Sequence, residues 1–367
     1  MEKKLLTCLI AAIITIMGSA PAYACTGITL QAKDGATVFA RTLEWGAFDI
    51  HSRLVIVPRG YQFTSQLEDG KKGAVWKGRY GAVGVDAVEK DNLVDGLNEK
   101  GLSVNAFYHP SVAEYPKADS DNIYNSIGPL DVAQYLLTTS ANVEEAKAAL
   151  SKVTVVSVTE PAIGVASPFH FIVTEPSGKA IVIEFADQEV QIFDAPLGVI
   201  TNAPEYDWHI TNLRNYVNLS PVALPGKKID ELDFTPLGAG SGMIGLPGDF
   251  TPASRFVRAV AFSKTARPTD SGTETMYEAF RILDSFNVPL EVAEGEGEAA
   301  PEGMRSATIW TTAYDTKNLI MQYHTMNNRR VRQVDLKNID FSSGKKLVQV
   351  PLDKTKEQDI QDVTPRH

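Results

Sequence analysis

Two stretches of this 367-residue chain join alternating apolar runs through turns too short to hold a helix. In FHFIVTEPSGKAIVIEFADQEVQIF, Pro176-Ser177-Gly178 supply the turn between two runs of period-2 alternation. SATIWTTAYDTKNLIMQYHTM repeats the pattern across Asp315 to Asn318. Parallel neighbours need a long crossover, usually a helix, so these hairpins commit their strands to antiparallel sheets.

The rest of the chain extends that pattern. ATVFARTLEW and SRLVIVPRG read as strands, as does GLSVNAFYH after the polar turn LNEKG. PLDVAQYLLTTSANVEEAKAALSKV predicts two consecutive helices with Asp131 and Asn142 as N-caps. TPASRFVRAVAFSKTA and TETMYEAFRILDSFNV are further helix candidates, the second with Met276, Phe280, Ile282, Leu283 and Phe286 at helical intervals. An acidic loop, EVAEGEGEAAPEGM, follows, and the polar tail from about Asp353 is expected to fray. Sheet, helices, sheet, helices, sheet, without βαβ alternation, predicts an α+β chain with helices layered on antiparallel sheets. With no internal repeat and no long linker, residues 25–352 read as one unit and 353–367 as a C-terminal tail.

The N-terminus has the three parts of a secretory signal: Lys3 and Lys4, the apolar LLTCLIAAIITIMG, and the small-residue site Ala22-Tyr23-Ala24. Residues 1–24 are therefore expected to be removed on export to a periplasmic or extracellular space. The remaining chain, with 33 basic and 44 acidic residues, carries a formal charge of −11. An acidic balance without Lys/Arg blocks disfavours nucleic acid and anionic membranes as partners. Beyond the N-terminus no apolar run is long enough to cross a bilayer. Cys8 leaves with the signal, so Cys25 is the one cysteine that stays, and no intramolecular disulfide can form. A lone thiol in an oxidising compartment is inert through burial, modified, or reactive.

The local signatures of several enzyme classes fail. The G-x-G-x-x-G match at Gly240, Gly242 and Gly245 runs straight into Leu246-Pro247-Gly248, which ends any helix a dinucleotide would need. There is no H-E-x-x-H, no paired C-x-x-C and no G-x-S-x-G. His51, His109, His170, His209, His324 and His367 lack ligand-like spacing and read as surface or core residues. No cofactor and no metal site is expected. A papain-like pair is also disfavoured, because Cys25 enters a strand and nothing marks one histidine as its base.

A chain-terminal cysteine offers its own chemistry. Its α-amine has an unperturbed pKa of about 7.7 to 8.0 and lies beside the thiol, so the nucleophile carries its base. Such a site also needs a cation near the thiol, a carboxylate to orient the amine, and donors for an oxyanion. A tight hairpin after Leu30 would bring Arg41 and Glu44 of RTLEW alongside; otherwise the two read as a surface ion pair. The competing reading is a non-enzymatic lipoprotein acylated at Cys25, although Ala22 and Tyr23 fit a lipobox poorly.

Cys25-Thr26-Gly27, RTLEW, VPRGY, DGLNEKGL, TNAPEYDWHITNLRNY and GAGSGMIGLPGDFTPASRFVR together resemble the choloylglycine hydrolase family of bile salt hydrolases and penicillin V acylases. The blocks occur in order, and the resemblance runs from Cys25 to about Val350. The resemblance implies an N-terminal nucleophile hydrolase, a four-layer αββα sandwich with two stacked antiparallel sheets. It also implies hydrolysis of a linear amide through a cysteine thioester. By motif, Cys25 corresponds to the nucleophile and Arg41 to the arginine against its sulfur. Asn202 of TNAP corresponds to an oxyanion-hole asparagine, and Arg255 of SRFVR to a second arginine near the nucleophile. Glu44 stands where many relatives carry an aspartate, and Tyr108 where bile salt hydrolases often have asparagine and penicillin V acylases tyrosine. The implied substrate is a small amide with a bulky apolar acyl group: a conjugated bile salt or penicillin V, with acyl-homoserine lactones as an alternative. The resemblance further raises a homotetramer.

Overall fold

The computed structural model describes residues 24–293 and 303–365. The signal segment up to Tyr23 and residues 294–302 of the acidic loop lie outside the described residues. Two large sheets carry the architecture, and their strands are numbered in chain order. They are β1 (Thr26–Gln31), β2 (Thr37–Glu44), β3 (Arg53–Val57), β4 (Ala82–Asp86), β5 (Leu93–Asn98), β6 (Ser103–Tyr108), β7 (Phe169–Thr174), β8 (Ala180–Ala186), β9 (Glu189–Asp194), β10 (Thr308–Asp315), β11 (Ile320–Thr325), β12 (Arg332–Asp335) and β13 (Val348–Pro351). The first sheet has the order β1-β2-β10-β11-β12 and the second β9-β8-β7-β6-β5-β4-β3-β13. Every neighbouring pair in both is antiparallel. The two hairpins read from the sequence are β7-β8 and β10-β11.

Among the described residues, five α-helices complete the layers: α1 (Val132–Thr139), α2 (Val143–Leu150), α3 (Tyr206–Asn212), α4 (Pro252–Thr265) and α5 (Gly272–Leu283). Helices α4 and α5 cover the outer face of the first sheet, while α1 and α2 cover the second. One apolar cluster joins both inner sheet faces to α4 and α5, through residues such as Phe39, Val83, Phe107, Phe256 and Met276. Another joins the outer face of the second sheet to α1 and α2, with Val104, Phe171, Leu136 and Ala146. This is the αββα layering the resemblance implies. Strands covered on both faces read as continuous burial, and β2, β5 and β10 are buried at every position.

Helix starts follow their caps, with one correction. Asn142 accepts from Glu145 N at 2.9 Å, and Thr251 and Ser271 cap α4 and α5 in the same way. Asp131 does not cap α1. A single 3-10 turn, Pro129–Asp131, precedes that helix, and the Asp131 carboxylate reaches back to Gly128 N (3.1 Å), Ser65 Oγ (2.5 Å) and Asn92 Nδ2 (2.7 Å). Side chains of the tail reach the body of the protein. Asp353 accepts from Thr325 Oγ1 at 2.7 Å and from Arg332, and Gln358 from Arg329 N at 3.0 Å, because a basic run faces this acidic segment.

Gly27 explains how the first strand comes so close to its neighbours. It exchanges both backbone hydrogen bonds with Ile200, at 2.8 and 3.1 Å. A Cβ there would lie 2.8 Å from the ring ends of Phe39 and Phe107 and 2.9 Å from a methyl of Ile200. Those neighbours belong to a packed core and have little room to retreat. Gly27→Ala is therefore expected to lower unfolding free energy by about 1–3 kcal/mol in urea titrations; an unchanged midpoint would show that the contact can relax.

Candidate active site

The register of β1 on β2 sets Gly27 opposite Arg41 and Thr26 opposite Thr42, which leaves Cys25 at the strand end, where its thiol meets the backbone of Glu44. The bridge from Gly27 to Ile200 draws the next two residues of that loop, Thr201 and Asn202, toward Cys25. Cys25 N donates to Asn202 Oδ1 at 2.8 Å, and Arg255 Nη2 donates to the same oxygen at 2.7 Å. Two donors on one atom define which end of the carboxamide is oxygen. The other end donates from Nδ2 to Tyr108 O at 2.6 Å. Arg255, in the first turn of α4, also reaches Thr26 Oγ1 (3.0 Å), Phe250 O (2.8 Å) and Cys25 O.

Arg41 occupies a gap between strands. Pairing of β5 with β6 ends at Asp95 and Asn105, and past that point Arg41 Nη1 donates to Ala106 O. Its guanidinium lies 4.1 Å over the Phe107 ring, with Nε 3.5 Å from Asp95 Oδ2. Asp95 additionally accepts from Thr312 Oγ1 (3.3 Å) and Tyr314. Arg41 and Glu44 are both buried, so the surface ion pair is not what forms, and the carboxylate beside Arg41 is that of Asp95. Glu44 Oε1 instead accepts from Thr308 Oγ1 at 3.0 Å.

Burial dominates the electrostatics. It raises the Cys25 thiol above its ordinary value, against the opposing pull of Arg41 and Arg255. Burial lifts Glu44 to about 7 despite Arg255, and Asp95 to about 6 despite Arg41. It lowers Arg255 to about 10, which leaves that group charged at neutral pH.

Cys25, Arg41 and Glu44 open on a cleft of about 630 Å³, mouth included, within the range of small-molecule sites. Its walls are almost wholly apolar, with Leu43, Trp45, Phe48, Ile50, Leu130 and Phe169 among them. Trp45 meets Phe48 and Tyr108 edge-on, each at 5.5 Å between centroids. Phe107 lies beneath Arg41 as core rather than wall.

The structure thus gathers Cys25, Arg41, Glu44, Tyr108, Asn202 and Arg255 at one place. Sequence reasoning missed Asp95, whose signal was a lone acid inside the apolar run LVDGLN. It also missed that His109, His170 and His209 are buried behind Asn202, whereas His51 is exposed and His324 is buried elsewhere.

A family model described as linear amide C–N hydrolases, choloylglycine hydrolase family, matches residues 25–350. The chain is 32% identical over 324 residues to a bile salt hydrolase/transferase of Clostridium perfringens, covering 86% of this chain and 94% of that protein. It is 26% identical over 357 residues to penicillin V acylase of Pectobacterium atrosepticum, covering 91% of this chain and 87% of that one. The crystal structure of a variant conjugated bile acid hydrolase from Clostridium perfringens is similar at a TM-score of 0.79 and 27% identity, over 92% of this chain and 100% of that one. Penicillin V acylase from Agrobacterium tumefaciens, at 22% identity, shares the fold with a TM-score of 0.70 over 90% of this chain and 92% of that one.

The raised Glu44 pKa can be read in stability. A carboxyl that holds its proton more tightly when folded favours the native state at low pH, and that advantage is lost as pH rises through about 7. Glu44→Gln should therefore gain on the wild type between pH 5 and 8, by on the order of 2 kcal/mol in urea unfolding. A gap that stays constant with pH would rule out the raised value.

Proposed function

Since the chain belongs to the choloylglycine hydrolase family of linear amide C–N hydrolases, we propose that Cys25, freed as the first residue by removal of residues 1–24, is its nucleophile. One observation carries this reading: Cys25 N lies 2.8 Å from Asn202 Oδ1 while the same residue lines the apolar cleft. Cleavage would turn that nitrogen into an amine already held by a fixed acceptor. The buried Arg255 guanidinium beside it disfavours the ammonium form and leaves the amine available as a base near neutral pH. The family match beginning at Cys25 supports the same boundary, and export to a periplasmic or extracellular space is proposed from the signal-like N-terminus of the sequence. A thiol this deeply buried argues against a lipid tether.

In the reaction, Cys25 Sγ attacks the amide carbon as its proton passes to the α-amine. The oxyanion is met by a backbone N–H near Tyr108 and by Asn202 Nδ2, which has a second hydrogen besides the one given to Tyr108 O. Arg41 favours negative charge on sulfur. The C–N bond then breaks, the leaving amine takes the proton from the α-ammonium, and a thioester remains. Water attacks that thioester, giving its proton to the α-amine; collapse releases the acid and returns the proton to sulfur. Glu44 sits on the neighbouring strand, where Thr308 Oγ1 fixes its carboxyl at this end of the cleft.

The apolar cleft fits a bulky hydrophobic acyl group, and conjugated bile salts are the first substrate reading, in line with the 32% identical relative. Penicillin V is the second, favoured by the Tyr108 ring in the cleft wall. A homotetramer is proposed as well. A hairpin spanning Lys227–Ile229 and Leu232–Phe234 exposes Ile229, Leu232 and Phe234, an apolar surface suited to burial between copies.

Intact mass of the exported protein should match a chain starting at Cys25 with no diacylglyceryl adduct. That protein should hydrolyse glycocholate, taurocholate or penicillin V, with acyl-homoserine lactones run alongside. Cys25→Ser and a chain keeping one extra residue before Cys25 should each lose at least about 100-fold in kcat. Activity in the uncleaved extended chain would refute the amine as base, and turnover of none of these amides would refute the substrate class. Light scattering should give four copies per particle; a monomer would overturn the assembly.

A further inference from the structure

Behind Asn202 lies a group of buried polar side chains for which the reaction above has no use. His109 follows β6, His170 lies on β7 and His209 on α3, and all three are buried. Each sends Nε2 to a carbonyl of the same short loop. His170 meets Thr201 O at 3.0 Å, His209 meets Asn202 O at 2.9 Å, and His109 meets Pro204 O at 3.3 Å. A carbonyl only accepts, so every one of these contacts requires the Nε2–H tautomer. Glu184 of β8 completes the ring: its Oε1 accepts from Tyr206 N at 3.0 Å and lies 3.2 Å from His170 Nδ1. With Nε2 of His170 already a donor, that second contact is satisfied by a proton on Glu184. Burial agrees, raising Glu184 to about 7 and lowering His109 and His170 to about 3 and His209 to about 4.

The His109, His170 and Glu184 ligand atoms lie close enough together to suggest a metal ion. The ring geometry opposes it. His109 and His170 are stacked with centroids 3.9 Å apart and planes within 4°. A ligand lone pair lies in its ring plane, and one ion cannot lie in two parallel, separated planes at about 2.0–2.1 Å from each nitrogen.

We propose that His170 and His209, backed by His109 and Glu184, are positioning residues that clamp the Thr201–Tyr206 loop and so hold Asn202 at the Cys25 nitrogen. Three imidazoles from three elements, delivering donors to three carbonyls within four residues, fix the backbone on both sides of the Asn202 side chain. Ordinary core packing would not require that each ring present the same nitrogen to the same loop. The clamp rests on the proposed role of Asn202. Loss of one donor should let the carboxamide drift, which harms the reacting geometry more than substrate binding in the apolar cleft.

The test compares His209→Leu with His209→Gln, whose amide N–H can still reach Asn202 O, and His170→Leu with His170→Gln. On whichever amide the mature enzyme hydrolyses, the Leu variants should lose about 10- to 100-fold in kcat with KM within about two-fold, and the Gln variants should recover most of it. A Leu variant that keeps wild-type kcat, or Leu and Gln variants equally impaired, would overturn the clamp. If the wild type hydrolyses none of the amides, the functional reading fails while the clamp is still measured. In that case ¹⁵N-histidine NMR of the wild type should give three exchange-protected imidazole protons, all on Nε2, and His209→Leu should lose one. Nδ1–H tautomers, or one equivalent of bound zinc by elemental analysis, would overturn it.

Discussion

The hydrogen bond from Cys25 N to Asn202 Oδ1 joins residues 177 positions apart and sets the terms for everything around it. To form it, β1 must approach the 200–206 loop closely, which requires glycine at position 27. The acceptor must also be kept as an oxygen facing two donors, which Arg255 enforces from α4. Neither sheet alone could supply this geometry. The first sheet brings Cys25 and Arg41, the second brings Tyr108, and the loop and α4 close the arrangement from the side.

Holding charges in such a place costs desolvation energy, and the site offsets it by pairing rather than by exposure. Arg41 and Asp95 are both fully buried, with Ala106 O, Thr312 and Tyr314 taking up hydrogen-bonding capacity around them. Buried pairs like this one contribute little net stability, and breaking one side is expensive. Their value here is geometric. Arg41 keeps the end of β6 open where a regular ladder would have closed it, and the cleft opens at that edge.

Much of the fold could be read before any coordinates. Short turns between alternating runs identified the β7-β8 and β10-β11 hairpins, since local geometry decides them. Asn142 was legible as a cap for the same reason, while Asp131 was misread because Ser65 and Asn92, distant in sequence, compete for its carboxylate. The histidines looked unremarkable by spacing. Nothing within the chain's local order hints that residues 109, 170 and 209 converge on one loop, because that convergence depends on strand order within the second sheet.

By itself the sequence determined the antiparallel character of the sheets, the positions of α1, α2, α4 and α5 but not of the short α3, and the set of residues resembling those of a known family, because periodicity, turns and motifs are local. The tertiary structure decided which groups meet. It paired Arg41 with Asp95 instead of Glu44, turned the Asn202 oxygen to Cys25 and its nitrogen to Tyr108, and raised two site carboxyls through burial. Pairing and desolvation depend on distance and on exclusion of water, and both come into being only when the layers close.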